Sequence, residues 1–337
     1  MLPWHKSEFE RVLAGRARLP HAILLHGRQG IGKAAFARTL AQTLLCENPA
    51  PSGSACGQCA ACHWLEAGTH PDFRQIEPDS LAETNANAEE QGSDKKKPSQ
   101  HIIIEQIRIL PEFIGISSHR GGPKVILIHP AEALNVNAAN ALLKSLEEPP
   151  ARTYFLLISH RPHSLLPTIR SRCQQLALQG PTPEAATAWL QSQGMANPEL
   201  ALAQTGNSPL AALQLDNEEY WQQRNTLLKG IASVGFDALA LAEQVRDYPI
   251  PQVVSWLQKW SYDLISQKFL GTIRYNPDHQ AALASAAARV DALAALRLHR
   301  ELVRLQRIVN HPLNPRLFIE HLLISYAGLV QPQRAAA

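Results

Sequence analysis

The sequence of 337 residues contains no run of eighteen or more apolar residues, so it offers no helix of the length that crosses a bilayer core. Its opening stretch MLPWHKSEFERVL places Glu8 and Glu10 where a secretory leader has an apolar core, and the expected location is cytoplasmic, with no membrane partner. Charge of one sign is also scarce. Thirty-two Lys and Arg face 29 Asp and Glu, a net of +3, without a basic stripe or interleaved basic and aromatic residues. That balance argues against a dedicated nucleic-acid binder and leaves DNA contact local or shared with partners. Cysteine is rare: five residues, an odd number, exclude a secreted disulfide scaffold. What is present is ordinary globular composition, 45% hydrophobic and 18% charged, with enough chain for two or three domains.

Between residues 22 and 178 short apolar runs alternate with helical patterns. AILLH precedes AAFARTLAQTLLC, FRQIE precedes IIIEQIRILPEFIG, VILIH precedes NAANALLKSLEEP, YFLLIS precedes SLLPTIRSR, and CQQLAL closes the series. The rhythm is βαβ, and strands apolar on successive residues predict a parallel sheet covered by helices on both faces. The expected first domain is a P-loop α/β module over 1–179. The stretch 79–100 is polar and aperiodic and reads as a mobile surface insertion; its lysines at 95–97 suit a solvated charge run or a phosphate contact. Beyond Gly180 the texture is all-α, predicting a small helical lid over 180–214, a helical bundle over 215–330 and a tail over 331–337. Breaks are expected at Tyr248-Pro249, Asn276-Pro277 and His311-Pro312. Leu293, Leu296, Leu298, Leu302, Val303, Leu305 and Val309 are expected in the bundle core.

Four of the five cysteines cluster. Cys56, Cys59 and Cys62 are spaced C-x-x-C-x-x-C, with Cys46 ten residues upstream, and Gly53 and Gly57 permit the turns that let the sulfurs converge. Four thiolates suit a tetrahedral, structural Zn²⁺ in a module over about 46–62. Competing readings are an iron–sulfur cluster, a redox dithiol, unrelated buried cysteines, or replacement of one sulfur by His63 or His70. An iron–sulfur cluster needs a redox role that nothing else in the chain suggests, and a redox C-x-x-C does not need three evenly spaced thiols plus a fourth.

HGRQGIGK carries a phosphate-loop spacing, with Gly27, Gly30, Gly32 and Lys33 as candidate phosphate-binding residues, after a strand and before a helix. The next residue, which should supply a hydroxyl to Mg²⁺, is Ala34. The strand VILI, which should end in carboxylates that hold the metal and activate water, ends in His129-Pro130. Glu132 is the nearest carboxylate. With three groups missing together, the loop is expected to bind phosphate weakly, or Lys33 to be a solvated lysine at the helix start, without ATP hydrolysis.

The cysteine quartet, HPD (70–72), NALLKSLEEPP (140–150) and TIRSRC (168–173), in this order, resemble the AAA+ clamp loaders of bacterial DNA polymerase III, and within them the delta-prime subunit family. The resemblance runs from PWH to NPRLFIEHLLISY, excepting the insertion. It implies a subunit of the polymerase III holoenzyme in a five-subunit ring with gamma/tau ATPase subunits and delta, loading a sliding clamp onto primed DNA, the C-terminal bundle forming a collar. It also implies that Arg172 is an arginine finger reaching a neighbour's ATP site in trans. Without that context, Arg172 reads as a cation capping a helix C-terminus. In TGNSPLAAL, Pro209 stands where ATPase members carry a lid arginine. The expectation is therefore a non-catalytic structural subunit; the alternative is an active ATPase subunit or ATP-binding switch.

Overall fold

The computed structural model describes residues 1–81, 99–233, 235–309 and 314–330. The chain divides into two units, Met1–Pro181 and Thr182–Ala337. In the first, five strands, β1 Ala22–His26, β2 Phe73–Ile76, β3 Lys124–Ile128, β4 Thr153–Ser159 and β5 Gln174–Ala177, form one sheet in the order β2-β3-β4-β1-β5. Every pairing is parallel, with Leu24 opposite both Leu157 and Gln175, and Ile126 opposite Phe155.

The uninterrupted apolar runs are explained by side chains alternating between two cores. Leu24, Ile126, Ile128, Phe155 and Leu157 meet one core; Ile23, Leu25, Val125, Leu127, Leu156 and Ile158 meet the other. The second face is covered by α1 Lys6–Ala14 and α2 Lys33–Leu45 through Phe9, Phe36, Leu40 and Leu44. After α3 Ala60–Glu66, the first face is covered by α4 Ile104–Arg108, α5 Leu110–Gly115, α6 Val136–Glu147 and α7 Pro167–Arg172. IIIEQIRILPEFIG thus forms two short helices, because Pro111 has no N–H to continue the first but fits the first turn of the second. Asn135 caps α6, its side chain accepting from Ala138 N–H at 2.8 Å.

The second unit is helical throughout its described residues. Helices α8 Pro183–Ser192, α9 Pro198–Thr205 and α10 Pro209–Leu213 enclose a small core of Ala186, Leu190, Met195, Ala201, Leu202 and Ala212. Helices α11 Glu218–Ala232, α12 Ala238–Gln244, α13 Ile250–Leu270, α14 Gln280–Arg289, α15 Ala292–Leu305 and α16 Pro315–Val330 surround a larger one containing Trp256, Trp260 and Tyr326. Within it Arg224 is fully buried, its two terminal nitrogens donating to both Asp278 oxygens (2.6 and 2.9 Å) and to Asn276 Oδ1 (2.8 Å) while Nε has no partner among the described residues. A buried guanidinium is tolerable only with such fixed partners.

One expectation fails. Leu302 and Val309 are buried, but Leu293, Leu296 and Val303 are 55%, 45% and 46% exposed, on the outward side of α15. Periodicity identifies an apolar stripe but not which of two apolar flanks faces the core. Residues 82–98 of the expected insertion, the break at His311-Pro312 and the 331–337 tail lie outside the described residues. The insertion's ends meet, Ser80 N–H donating to Ser99 O at 3.1 Å.

Candidate functional site

Parallel strands deliver their following loops to one edge of the sheet, so the phosphate loop after β1, His129 after β3 and His160 after β4 share that edge. Gly27 and Gly32 cannot be replaced without strain. Gly27 lies at φ 151° and a Cβ there would overlap the Leu178 carbonyl oxygen; Gly32 lies at φ 98° and a Cβ would overlap the Leu2 side chain. Gly30 also has positive φ, at 78°.

Lys33 is not the solvated lysine allowed by the sequence. It is 3% exposed, and its Nζ donates to the Gly27 carbonyl at 2.7 Å and to that of Arg28. Burial lowers its ammonium to about 8, with the charge of Glu132 opposing. The loop is also covered from the N-terminal side. Trp4 Nε1 donates to Ile31 O at 2.9 Å, Leu2 rests on Gly32, and buried His5 contacts Phe36 edge-on and Gln179 O at 3.1 Å. Sequence reading gave no role to PWH beyond marking the start of the resemblance, because nothing local links residues 2–5 to residues 31–32.

Ala34 packs beside the second core, so a hydrocarbon stands where a metal-binding hydroxyl is required. His129 and His160 lie edge-to-face, 5.5 Å between ring centres. Burial lowers both, and His160, with the nearby Lys33 charge adding, falls to about 4. They are neutral imidazoles at pH 7, poor partners for a hard cation. Glu132 Oε1 accepts from His160 N–H at 2.9 Å; Oε2 is buried without a hydrogen-bond partner.

The four cysteines come together as α2 ends in Cys46 and α3 begins after Cys59. Their Sγ atoms all lie within 4.8 Å of one another, Cys46 being 3.6 Å from Cys56 and 3.9 Å from Cys59. A tetrahedron with metal–sulfur bonds of ~2.3 Å has edges of about 3.8 Å, so the four sulfurs fit a metal ion such as zinc. Backbone N–H groups point at the sulfurs, Cys56 N to Cys46 Sγ at 3.3 Å and Cys59 N to Cys56 Sγ at 3.3 Å. The N–H groups of Gln58 and Cys59 hold the Cys56 thiol below its ordinary value, while burial pushes Cys62 up to about 12. His63 is exposed, and His70 is engaged elsewhere, its Nδ1 accepting from Asp72 N–H at 3.0 Å. The HPD motif is thereby a structural clamp before β2. Asp72 accepts from His119 N–H at 3.1 Å and lies 3.7 Å from Lys124 Nζ, which donates to Phe113 O at 2.7 Å.

Arg172 ends α7. Its Nη1 donates to Thr168 O at 3.0 Å, and its Nη2 pairs with Glu147, the first glutamate of the LEEPP segment. One third of the side chain remains exposed. Pro209 is buried at the start of α10.

Residues 5–182 match the family model described as "DNA polymerase III, delta subunit", and residues 218–327 match "DNA polymerase III, delta subunit, C terminal". The DNA polymerase III subunit delta' of Pseudomonas aeruginosa is 38% identical, with 98% of each chain covered; that of Escherichia coli is 31% identical over 98% of this chain and 96% of its own. A gamma subunit-related protein of DNA polymerase III from Thermotoga maritima is similar at 19% identity and a TM-score of 0.43, covering 90% of this chain and 99% of its own. With two family models spanning both units and relatives matched end to end, the chain belongs to the delta-prime subunit family of the DNA polymerase III clamp loader.

Proposed function

We propose that the chain is a non-hydrolysing subunit of the clamp loader, assembling with gamma/tau ATPase subunits and delta to place a sliding clamp on primed DNA in the cytoplasm. The observation that carries the reading is a phosphate loop closed on itself: the Lys33 ammonium occupies its own loop carbonyls, and Leu2 and Trp4 cover the loop from outside. Any phosphate binding by Gly27, Gly30, Gly32 and Lys33 is weak, since a phosphate must first displace those contacts. Without the hydroxyl at Ala34 and carboxylates at His129 and Pro130, positioning and charge neutralisation of a transferring phosphoryl group are lost. The rival, an active ATPase, relies on Glu132 Oε2. A single oxygen beside the Lys33 charge is a poor holder of Mg²⁺, which needs near-octahedral oxygen ligation.

Function is then delivered in trans. Arg172, part-exposed at the end of α7, serves as the arginine finger, exchanging Glu147 for the phosphates of a neighbour's ATP. The cysteine quartet holds a structural Zn²⁺ that folds the 46–62 module and leaves no open ligand position. The helices over 180–214 act as the lid, and those over 215–330 as the collar.

DNA-stimulated ATP hydrolysis in the reconstituted loader tests the reading. The isolated chain is expected to be silent, and Arg172→Ala to depress hydrolysis at the neighbouring site by on the order of 10³-fold. Turnover by the isolated chain, or an unchanged rate in the variant, defeats it.

A further inference from the structure

The opposite edge of the sheet carries a cavity of its own. Helix α2 leaves the phosphate loop and ends thirteen residues later at Cys46, about 20 Å away at 1.5 Å per residue. At that far edge, where β3 and β4 begin, lies a cavity of about 340 Å³. Three arginines from separate parts of the chain line it: Arg16 after α1, Arg120 before β3 and Arg152 before β4, with Glu47, Trp64 and His70.

The charges there are unevenly matched. Glu47 is paired with Arg120 at 2.6 Å, and Asp72 is turned to His119 N–H and Lys124. Arg152 uses one Nη1–H on Gly121 O at 2.7 Å, and Arg16 has no side-chain partner among the described residues. Gly121 and Gly122 leave open space where side chains would stand, so the backbone along the rim is bare. Arg120 lies over the Trp64 ring at 4.9 Å, which occupies an aromatic face that a base would otherwise use.

We propose that this cavity binds phosphate groups. Three guanidinium forks offer more N–H donors than one carboxylate can accept, whereas a phosphate's oxygens can take several at once. The volume falls within the range of small-ligand sites. With Trp64 covered, recognition is of phosphate rather than of a base. The phosphate comes from a free pyrophosphate-like group or from a nucleic-acid backbone.

Titration of the full chain with inorganic pyrophosphate, followed by calorimetry, and with labelled oligothymidine, followed by anisotropy, distinguishes the sources. Saturable binding of either probe, moving the Gly121 and Gly122 amide resonances and weakened about ten-fold or more by Arg16→Glu with Arg152→Glu, is expected. Binding of pyrophosphate alone assigns a free phosphate; binding of the oligonucleotide alone, falling steeply with salt, assigns a nucleic-acid backbone. No binding of either probe, binding that leaves both glycine amides unmoved, or full affinity in the double variant overturns the proposal. The wild-type amide shifts decide the matter even should the double variant fold poorly.

Discussion

His160 shows how a single buried group couples the phosphate-loop edge to pH. Burial and the nearby Lys33 hold its imidazole at about 4, against an ordinary value of 6.5. Between those values the unfolded chain binds the proton and the folded chain does not, so stability is complete above pH 6.5 and falls as the pH drops towards 4. His160→Gln should remove about 1–2 kcal/mol of that acid loss, allowing for partial exposure. Denaturant titrations of both proteins at pH 7 and pH 4.5 check it, and equal acid sensitivity would exclude His160 as the source. Residue identity was informative here because the missing carboxylates at His129 and Pro130 are visible in the sequence. The Lys33 contacts were not, since backbone carbonyls that point into a loop leave no trace in residue type.

At the scale of elements, α2 joins two sites whose formation depends on its ends. At its start, Gly32→Ala should cost about 1–3 kcal/mol, from a non-glycine residue at positive φ and from overlap with Leu2. Removing residues 1–5 from that variant should relieve only the second part, which thermal melting of the four combinations would resolve. At its end, the quartet predicts one metal ion per chain. Cys59→Ser should abolish stoichiometric zinc in elemental analysis, and a strong chelator should lower the melting temperature of the wild type but not of the variant. Chelator-insensitive folding with no metal bound would refute the zinc assignment. The C-x-x-C-x-x-C spacing made this site legible, because ligands three residues apart, with Gly57 permitting the first turn, converge locally. Cys46, ten residues upstream, was also named from the sequence, and the fold supplies the distance, α2 ending with its sulfur 3.6 Å from that of Cys56.

For the whole molecule, the exposed flank of α15 matters most. Leu293, Leu296 and Val303 leave apolar surface facing water on a helix that also exposes Arg297, Arg300 and Arg304. Burial of such side chains in an assembly is worth about 1.5–3 kcal/mol each, which suits a surface that other subunits cover. Leu296→Glu with Val303→Glu should leave the melting temperature of the isolated chain within a few degrees of wild type while reducing incorporation into the reconstituted loader at least ten-fold. Size-exclusion chromatography of the mixed subunits would read this, and full incorporation would remove the flank from the interface.

The sequence by itself determined the parallel sheet, the helical second part, the cysteine quartet and the identity of Ala34, His129 and Pro130 where a hydroxyl and carboxylates would hold a metal. Each of these is written in local periodicity or in the identity of residues at fixed spacing. Tertiary structure decided that Leu2 and Trp4 close the loop, that Arg172 rests on Glu147, that one flank of α15 is bare, and that Arg16, Arg120 and Arg152 share a cavity. The contacts in the first unit join residues 25 to 136 positions apart, which the order of strands in the sheet brings together, and the α15 flank is set by how the helices pack; neither is written in a local pattern.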